Sequence, residues 1–144
     1  MALNTFARIV QDWVAQSWPS WTEHVEQRQD GEFEVALPAP SGSKAGHLRI
    51  FTSRGDLWVR YNPPRMCYPI DNRAELLSIV RQLLKDKVLF VNIYRGTKWR
   101  GGTLTRRGIE PQVQRGEVAQ VVSWTGKFDA TVGGPKARSN YRAG

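Results

Sequence analysis

Residues 71–94 read DNRAELLSIVRQLLKDKVLFVNIY, and this stretch decides the fold class. Leu76, Leu77, Val80, Leu83 and Leu84 recur at three- and four-residue intervals, with Arg73, Glu75, Arg81, Gln82 and Lys85 between them. That spacing gives a helix one buried stripe, and it predicts a helix over residues 72–86 with Asp71 as its cap. Val88–Tyr94 follows without a connecting loop and is apolar almost throughout. A strand of that composition is covered on both faces and belongs at the centre of a sheet.

Moving toward the N-terminus, the next signal is an alternation. His47–Thr52 and Asp56–Tyr61 predict a hairpin across Ser53-Arg54-Gly55, with Leu48, Ile50, Leu57, Val59 and Tyr61 inward. Arg49 and Arg60 then point outward, with Trp58 among the polar positions, and Asn62-Pro63-Pro64 stops the sheet. Residues 38–46 hold Pro, Gly and Ser and predict a mobile loop. An earlier hairpin is expected across Asp30-Gly31, joining Thr22–Gln27 to Glu32–Leu37. In it Phe33, Val35 and Leu37 share one face, and Glu32 and Glu34 stand on a solvent face. Phe6, Ile9, Val10, Trp13 and Val14 predict a first helix over residues 3–17, capped by Asn4 or Thr5 and ended by Pro19. Trp18 and Trp21 flank Pro19, and either packing or an exposed aromatic patch fits them.

Toward the C-terminus, Arg95–Gly102 reads as a basic, glycine-bearing loop around Trp99. Thr103–Thr105 reads as a short strand and Glu117–Trp124 as the last strand. Residues 129–144 carry Gly, Pro, Ser and cations with little to bury, so a loosely held basic tail is expected after a domain of residues 1–128. The expected architecture is α+β, with a single mostly antiparallel sheet and two main helices packed on one face.

Composition agrees with one compact domain of 144 residues, 40% hydrophobic and 24% charged. Charge is unevenly placed. Residues 1–40 hold two basic and six acidic side chains, a net −4; residues 41–144 hold nineteen basic and seven acidic, a net +12; together they give the chain's +8. Such a field attracts anionic partners and steers their approach. The lone cysteine, Cys67, has no thiol to pair with, which makes the reducing cytosol the expected compartment. No apolar run reaches the ~20 residues of a membrane span, and no signal peptide is expected.

Catalytic patterns are missing. His24, His47 and Cys67 have no metal-ligand spacing. Cys67 precedes the second helix, and a buried structural thiol is the expected role. There is no serine elbow or phosphate-binding loop. The expectation is a non-enzymatic protein with no cofactor and no metal. One segment stands apart: Tyr94-Arg95-Gly96-Thr97-Lys98-Trp99-Arg100-Gly101-Gly102, followed by Arg106 and Arg107. Guanidinium and indole together suit carboxylate, phosphate or base stacking. The same residues also fit a hairpin turn with Trp99 folded back on its sheet.

The strand Gly55–Tyr61, the Pro-containing turn, the helix from Asp71 through Leu83-Leu84-Lys85 and the strand Val88-Leu89-Phe90-Val91 together resemble small α+β immunity proteins of bacterial toxin systems. The resemblance implies a bacterial, cytoplasmic protein that binds one toxin and blocks its active site. The chain departs from many such proteins in being basic, which implies a partner with an acidic face. The expected partner-binding residues are Arg95, Lys98, Trp99, Arg100, Arg106, Arg107, Arg60 and Trp58, entering an acidic site with Trp99 as anchor. The alternative is a nucleic-acid-binding protein using the basic patch of residues 49–107.

Overall fold

The computed structural model describes residues 2–62 and 67–133. Helix α1 spans Thr5–Ser17, and Asn4 is its cap, accepting the Ala7 N–H at 2.8 Å. Pro19 opens a 3-10 segment, Pro19–His24, because its missing N–H costs nothing at a helix start. This segment replaces the first strand of the expected Asp30-Gly31 hairpin. The Thr22 hydroxyl donates to the Pro19 carbonyl, and the Trp18 and Trp21 rings stack 4.4 Å apart, so the chain is held coiled where alternation predicts extension. Trp21 is buried and Trp18 half-buried, which settles the pair as largely packed. What survives of the hairpin is one bridge, Val25 to Val35, and the Glu26 N–H bonded to the Glu34 carbonyl.

Strands β1 (Glu34–Pro38), β2 (His47–Ser53), β3 (Asp56–Asn62) and β4 (Tyr68–Ile70) form an antiparallel sheet in that order. Arg54 and Gly55 both have positive φ, 51° and 84°, the geometry of the two-residue turn that suits strand twist. Leu48, Ile50, Leu57, Val59 and Tyr61 all point into the core, as the alternation requires.

Helix α2 spans Arg73–Leu84, and its cap is Asn72 rather than Asp71; the Asn72 side chain accepts the Glu75 N–H at 2.9 Å. Strands β5 (Val88–Arg95), β6 (Lys98–Arg106), β7 (Glu117–Val122) and β8 (Ala130–Gly133) form a second antiparallel sheet, ordered β6-β5-β7-β8. The architecture is α+β, but with two sheets where a single one is expected. The reason is β5: its two edges are taken by β6 and β7, leaving none for the first sheet.

The main core lies between the inner face of the first sheet, both helices and one face of the second sheet. Phe90 meets Tyr61 there, ring centroids 4.5 Å apart. The opposite face of β5 carries Leu89 and Val91 into a smaller cluster with Ala119, Val121, Ala130 and Val132. Ala130–Gly133, expected in the tail, is therefore an edge strand with two buried side chains; residues 134–144 of the tail and the Pro63-Pro64 turn lie outside the described residues. The loop of residues 38–46, expected to be mobile, is tied down: Ser43 Oγ donates to the Trp124 carbonyl at 2.8 Å. Among the described residues no helix is long and apolar enough to cross a membrane.

The acidic face expected on the first hairpin does not face water. Glu32 is buried, and its carboxylate accepts from Asn4 Nδ2 (3.0 Å), Thr52 Oγ1 (2.8 Å) and the Arg54 N–H (2.8 Å). Burial works to raise its pKa, but the Arg54, Asn4 and Thr52 hydrogen bonds prevail and hold it below the usual carboxylate value of about 4.5. A lowered folded pKa means that stability is in place above that value and lost as pH falls through the folded one. Asp30, held low by Arg28, acts in the same direction from an exposed position. Glu32→Gln is therefore expected to destabilise by about 2–3 kcal/mol at neutral pH, since it leaves buried donors facing an amide. Its urea midpoint should also depend less on pH below pH 4.5 than that of the parent protein; parallel curves would contradict the assignment.

Candidate functional site

The hairpin of β5 and β6 carries most of the cations that sequence assigns to binding. It turns at Gly96-Thr97, with Gly96 at φ 62°, so Arg95 and Lys98 face each other directly. The segment read as an open loop is thus a strand pair. Its glycines and charges reflect an edge strand with little to bury, not the absence of a strand. Arg100 sits where the register shifts opposite Ile93 and Tyr94, a bulge, next to Gly101 at φ 147°.

Trp99 does not project from this hairpin. It is half-buried opposite Tyr94, and its indole Nε1–H donates to Asn92 Oδ1 at 2.9 Å; Asn92 is 1% exposed. Trp99→Phe is expected to cost about 1–3 kcal/mol in a urea melt, because it strands a buried amide oxygen. A melt unchanged from the parent's would place the side chain's role at the surface instead.

The basic residues of the β5–β6 hairpin and its exit fall into two groups. Arg95, Lys98 and Arg100 crowd the tip, while Arg106 and Arg107 lie at the base, with Lys98 and Arg106 roughly 25 Å apart along an extended strand. At the base the Arg107 N–H donates to the Lys87 carbonyl at 3.0 Å, fastening the end of β6 to the corner between α2 and β5. Gln82, Lys87, Arg106 and Arg107 line a cleft of about 360 Å³ there. A neighbouring cavity of about 460 Å³ shares Gln82 and Lys87 and adds Arg81 and Lys85 from the outward face of α2. No carboxylate lines either one. The Arg107 guanidinium also lies over the Phe128 ring, 4.8 Å from its centroid.

Arg81, Lys85 and Lys87 are the residues that sequence reasoning left out of the site. A signal was present: Arg81 and Lys85 are four apart on the helix face turned to water. What the sequence does not carry is the return of β6 beside β5, which brings Arg106 and Arg107 to them.

Arg60 and Trp58 lie elsewhere, on β3 in the first sheet. Trp58 stands between Phe51 of β2 and Pro69 of β4, and the Arg60 guanidinium is 5.4 Å from the centre of the Phe51 ring. Beside Arg60 in register is Arg49, which pairs with Glu34 and, at 3.5 Å, with Glu26. Arg28 holds the other oxygen of Glu34 at 2.9 Å. The chain's N-terminal acids are thus largely engaged internally, and the lining of the clefts at the β6 base includes no carboxylate. Cys67 is half-buried and separated from the start of α2 by β4. Among the described residues no three His, Cys, Asp or Glu side chains gather to hold a metal.

Compared with protein-family models, curated proteins and solved structures, the chain matches none.

Proposed function

We propose that the chain is a non-enzymatic inhibitor of the immunity-protein kind, neutralising a bacterial toxin by laying the basic edge of its second sheet against acidic groups around the toxin's active site. The observation that carries this reading is the pair of adjoining open clefts at the β6 base, whose charged lining is Arg81, Lys85, Lys87, Arg106 and Arg107 with no carboxylate. Arg pairs with carboxylates through two parallel hydrogen bonds, and a cluster of cations adds long-range steering. Trp99 supports the hairpin from within instead of anchoring the partner, since its one donor is committed to Asn92. Arg60 and Trp58, on another sheet, are secondary to this surface.

The test is affinity capture by the full chain, with salt titration of whatever is bound. The expected result is an acidic protein retained with sub-micromolar affinity, whose association slows as salt rises. Capture of DNA or RNA alone, with affinity falling steeply and linearly in log salt, would replace this reading with the nucleic-acid one. For that alternative, Arg49 is poorly placed, because Glu34 and Glu26 already hold it.

A further inference from the structure

The exposed edge of β6 offers backbone as well as charge. β6 is nine residues long and ends the order β6-β5-β7-β8, so among the described residues no strand lies beyond it. The bond from the Arg107 N–H to the Lys87 carbonyl fixes the parity of the pairing. Hydrogen-bonded pairs alternate along an antiparallel ladder, so Thr105 with Leu89 and Thr103 with Val91 bond inward. The N–H and C=O groups of Gly102 and Leu104 therefore point away from β5, the Leu104 carbonyl carrying a long, exposed hydrogen bond from the Thr103 hydroxyl (3.4 Å) that a pairing strand would displace. Gly102 is exposed and has no side chain to screen them. At one end the Arg106 carbonyl is closed off by the Ile109 N–H at 3.0 Å, and at the other the Arg100 bulge interrupts the strand.

Among the described residues the other edges are closed or short, β8 spanning four residues. β1 is flanked by the Val25 bridge and ends in Pro38, and β4 has three residues, one of them Pro69. β6 is guarded differently, by cations on both sides of its open backbone. If a second copy paired antiparallel about Thr103, Arg100 of each chain would stand opposite Arg106 of the other, and like charges directly opposite repel. The same charges admit a strand of opposite sign.

We propose that β6 is a strand-addition site, on which an extended acidic segment of the partner pairs with the Gly102–Leu104 backbone while its carboxylates reach the cations at the tip and base. This rests on the binding reading above and specifies its mode: backbone hydrogen bonds supply affinity, and the flanking charges supply selection.

The probe is an acetylated, amidated hexapeptide of alternating Glu and Thr, with a second version N-methylated at every residue. Both carry the same charge, but only the first can donate backbone hydrogen bonds. In amide NMR spectra of the full chain, the unmethylated peptide is expected to shift Gly102 and Leu104 and to slow their hydrogen exchange. The methylated peptide should bind at least about tenfold more weakly, the value of one or two lost hydrogen bonds. Equal binding of both would overturn strand addition while leaving the charged surface as a docking site. Binding of neither would overturn strand addition and count against the acidic-partner reading as well. A Lys-Thr peptide that binds as tightly as the Glu-Thr one would remove the charge selection.

Discussion

Phe90→Ala is expected to destabilise the protein by about 3–5 kcal/mol, the usual cost of emptying a core aromatic site. Phe90 is fully buried at the middle of β5, between the Leu104 and Val122 positions of its neighbouring strands. It is also where the two sheets touch, since its ring lies 4.5 Å from that of Tyr61, and Tyr61 in turn lies 5.8 Å from Trp124. The cavity left by alanine opens in the main core, to which the first sheet, the second sheet and both helices contribute buried side chains, so collapse from any side would disturb the others. A loss of that size is a large share of a typical domain's 5–15 kcal/mol, so Phe90→Leu serves as a milder variant expected to cost about 1 kcal/mol. Ile109→Ala, at a side chain 58% exposed, should stay within about 0.5 kcal/mol. Urea unfolding of the three variants decides it; a Phe90→Ala loss below about 1 kcal/mol would mean that the sheets do not depend on this contact.

The triple reversal Lys87→Glu, Arg106→Glu, Arg107→Glu is expected to weaken partner binding by about a hundredfold or more, while costing about 1–2 kcal/mol of stability through lost side-chain contacts such as that of Arg107 with the Phe128 ring. All three side chains are exposed, and the backbone bond between Lys87 and Arg107 does not involve them. Reversal turns the floor of the cleft from attractive to repulsive for an acidic surface, so the loss should appear first in the association rate and shrink as salt is added. Arg8→Glu, exposed on α1 and away from the second sheet, provides the matched loss of charge at a different place. If Arg8→Glu weakens binding as much per charge as the triple variant, the effect is one of net charge and the cleft has no special part in it.

Much of the fold was legible because periodicity reports burial directly. The β2–β3 hairpin, both helices and the doubly covered β5 follow from spacings of two, of three to four, and of none. Three features were hidden for identifiable reasons. Alternation at residues 22–27 predicts a strand, but Pro19 and the Trp18–Trp21 stack favour a coiled turn through contacts that lie outside that window. Local pattern also cannot say which strand pairs with which, so the division into two sheets was invisible until β5 was found with both edges filled. The acids at Glu32 and Glu34 alternate like solvent-facing residues, yet one is buried under three donors and the other held between Arg28 and Arg49. For the site, the sequence pointed to the cations of the β5–β6 hairpin but joined the tip and base groups into one loop. The contribution of α2 came only with the third dimension.

The Ser43 anchor has a consequence for the order of events during synthesis. Its hydroxyl reaches the Trp124 carbonyl across 81 positions of sequence. The first sheet can pair its hairpin as soon as Asn62 has left the ribosome, but the loop leading into that hairpin has no docking site until the chain has been made past Trp124. Tyr61 waits for the side chain of the same residue. Nascent chains halted before Trp124 should therefore hold a paired but unlatched N-terminal half, its inner face covered by the helices but lacking the Trp124 side chain. Release from that state should come in one late step.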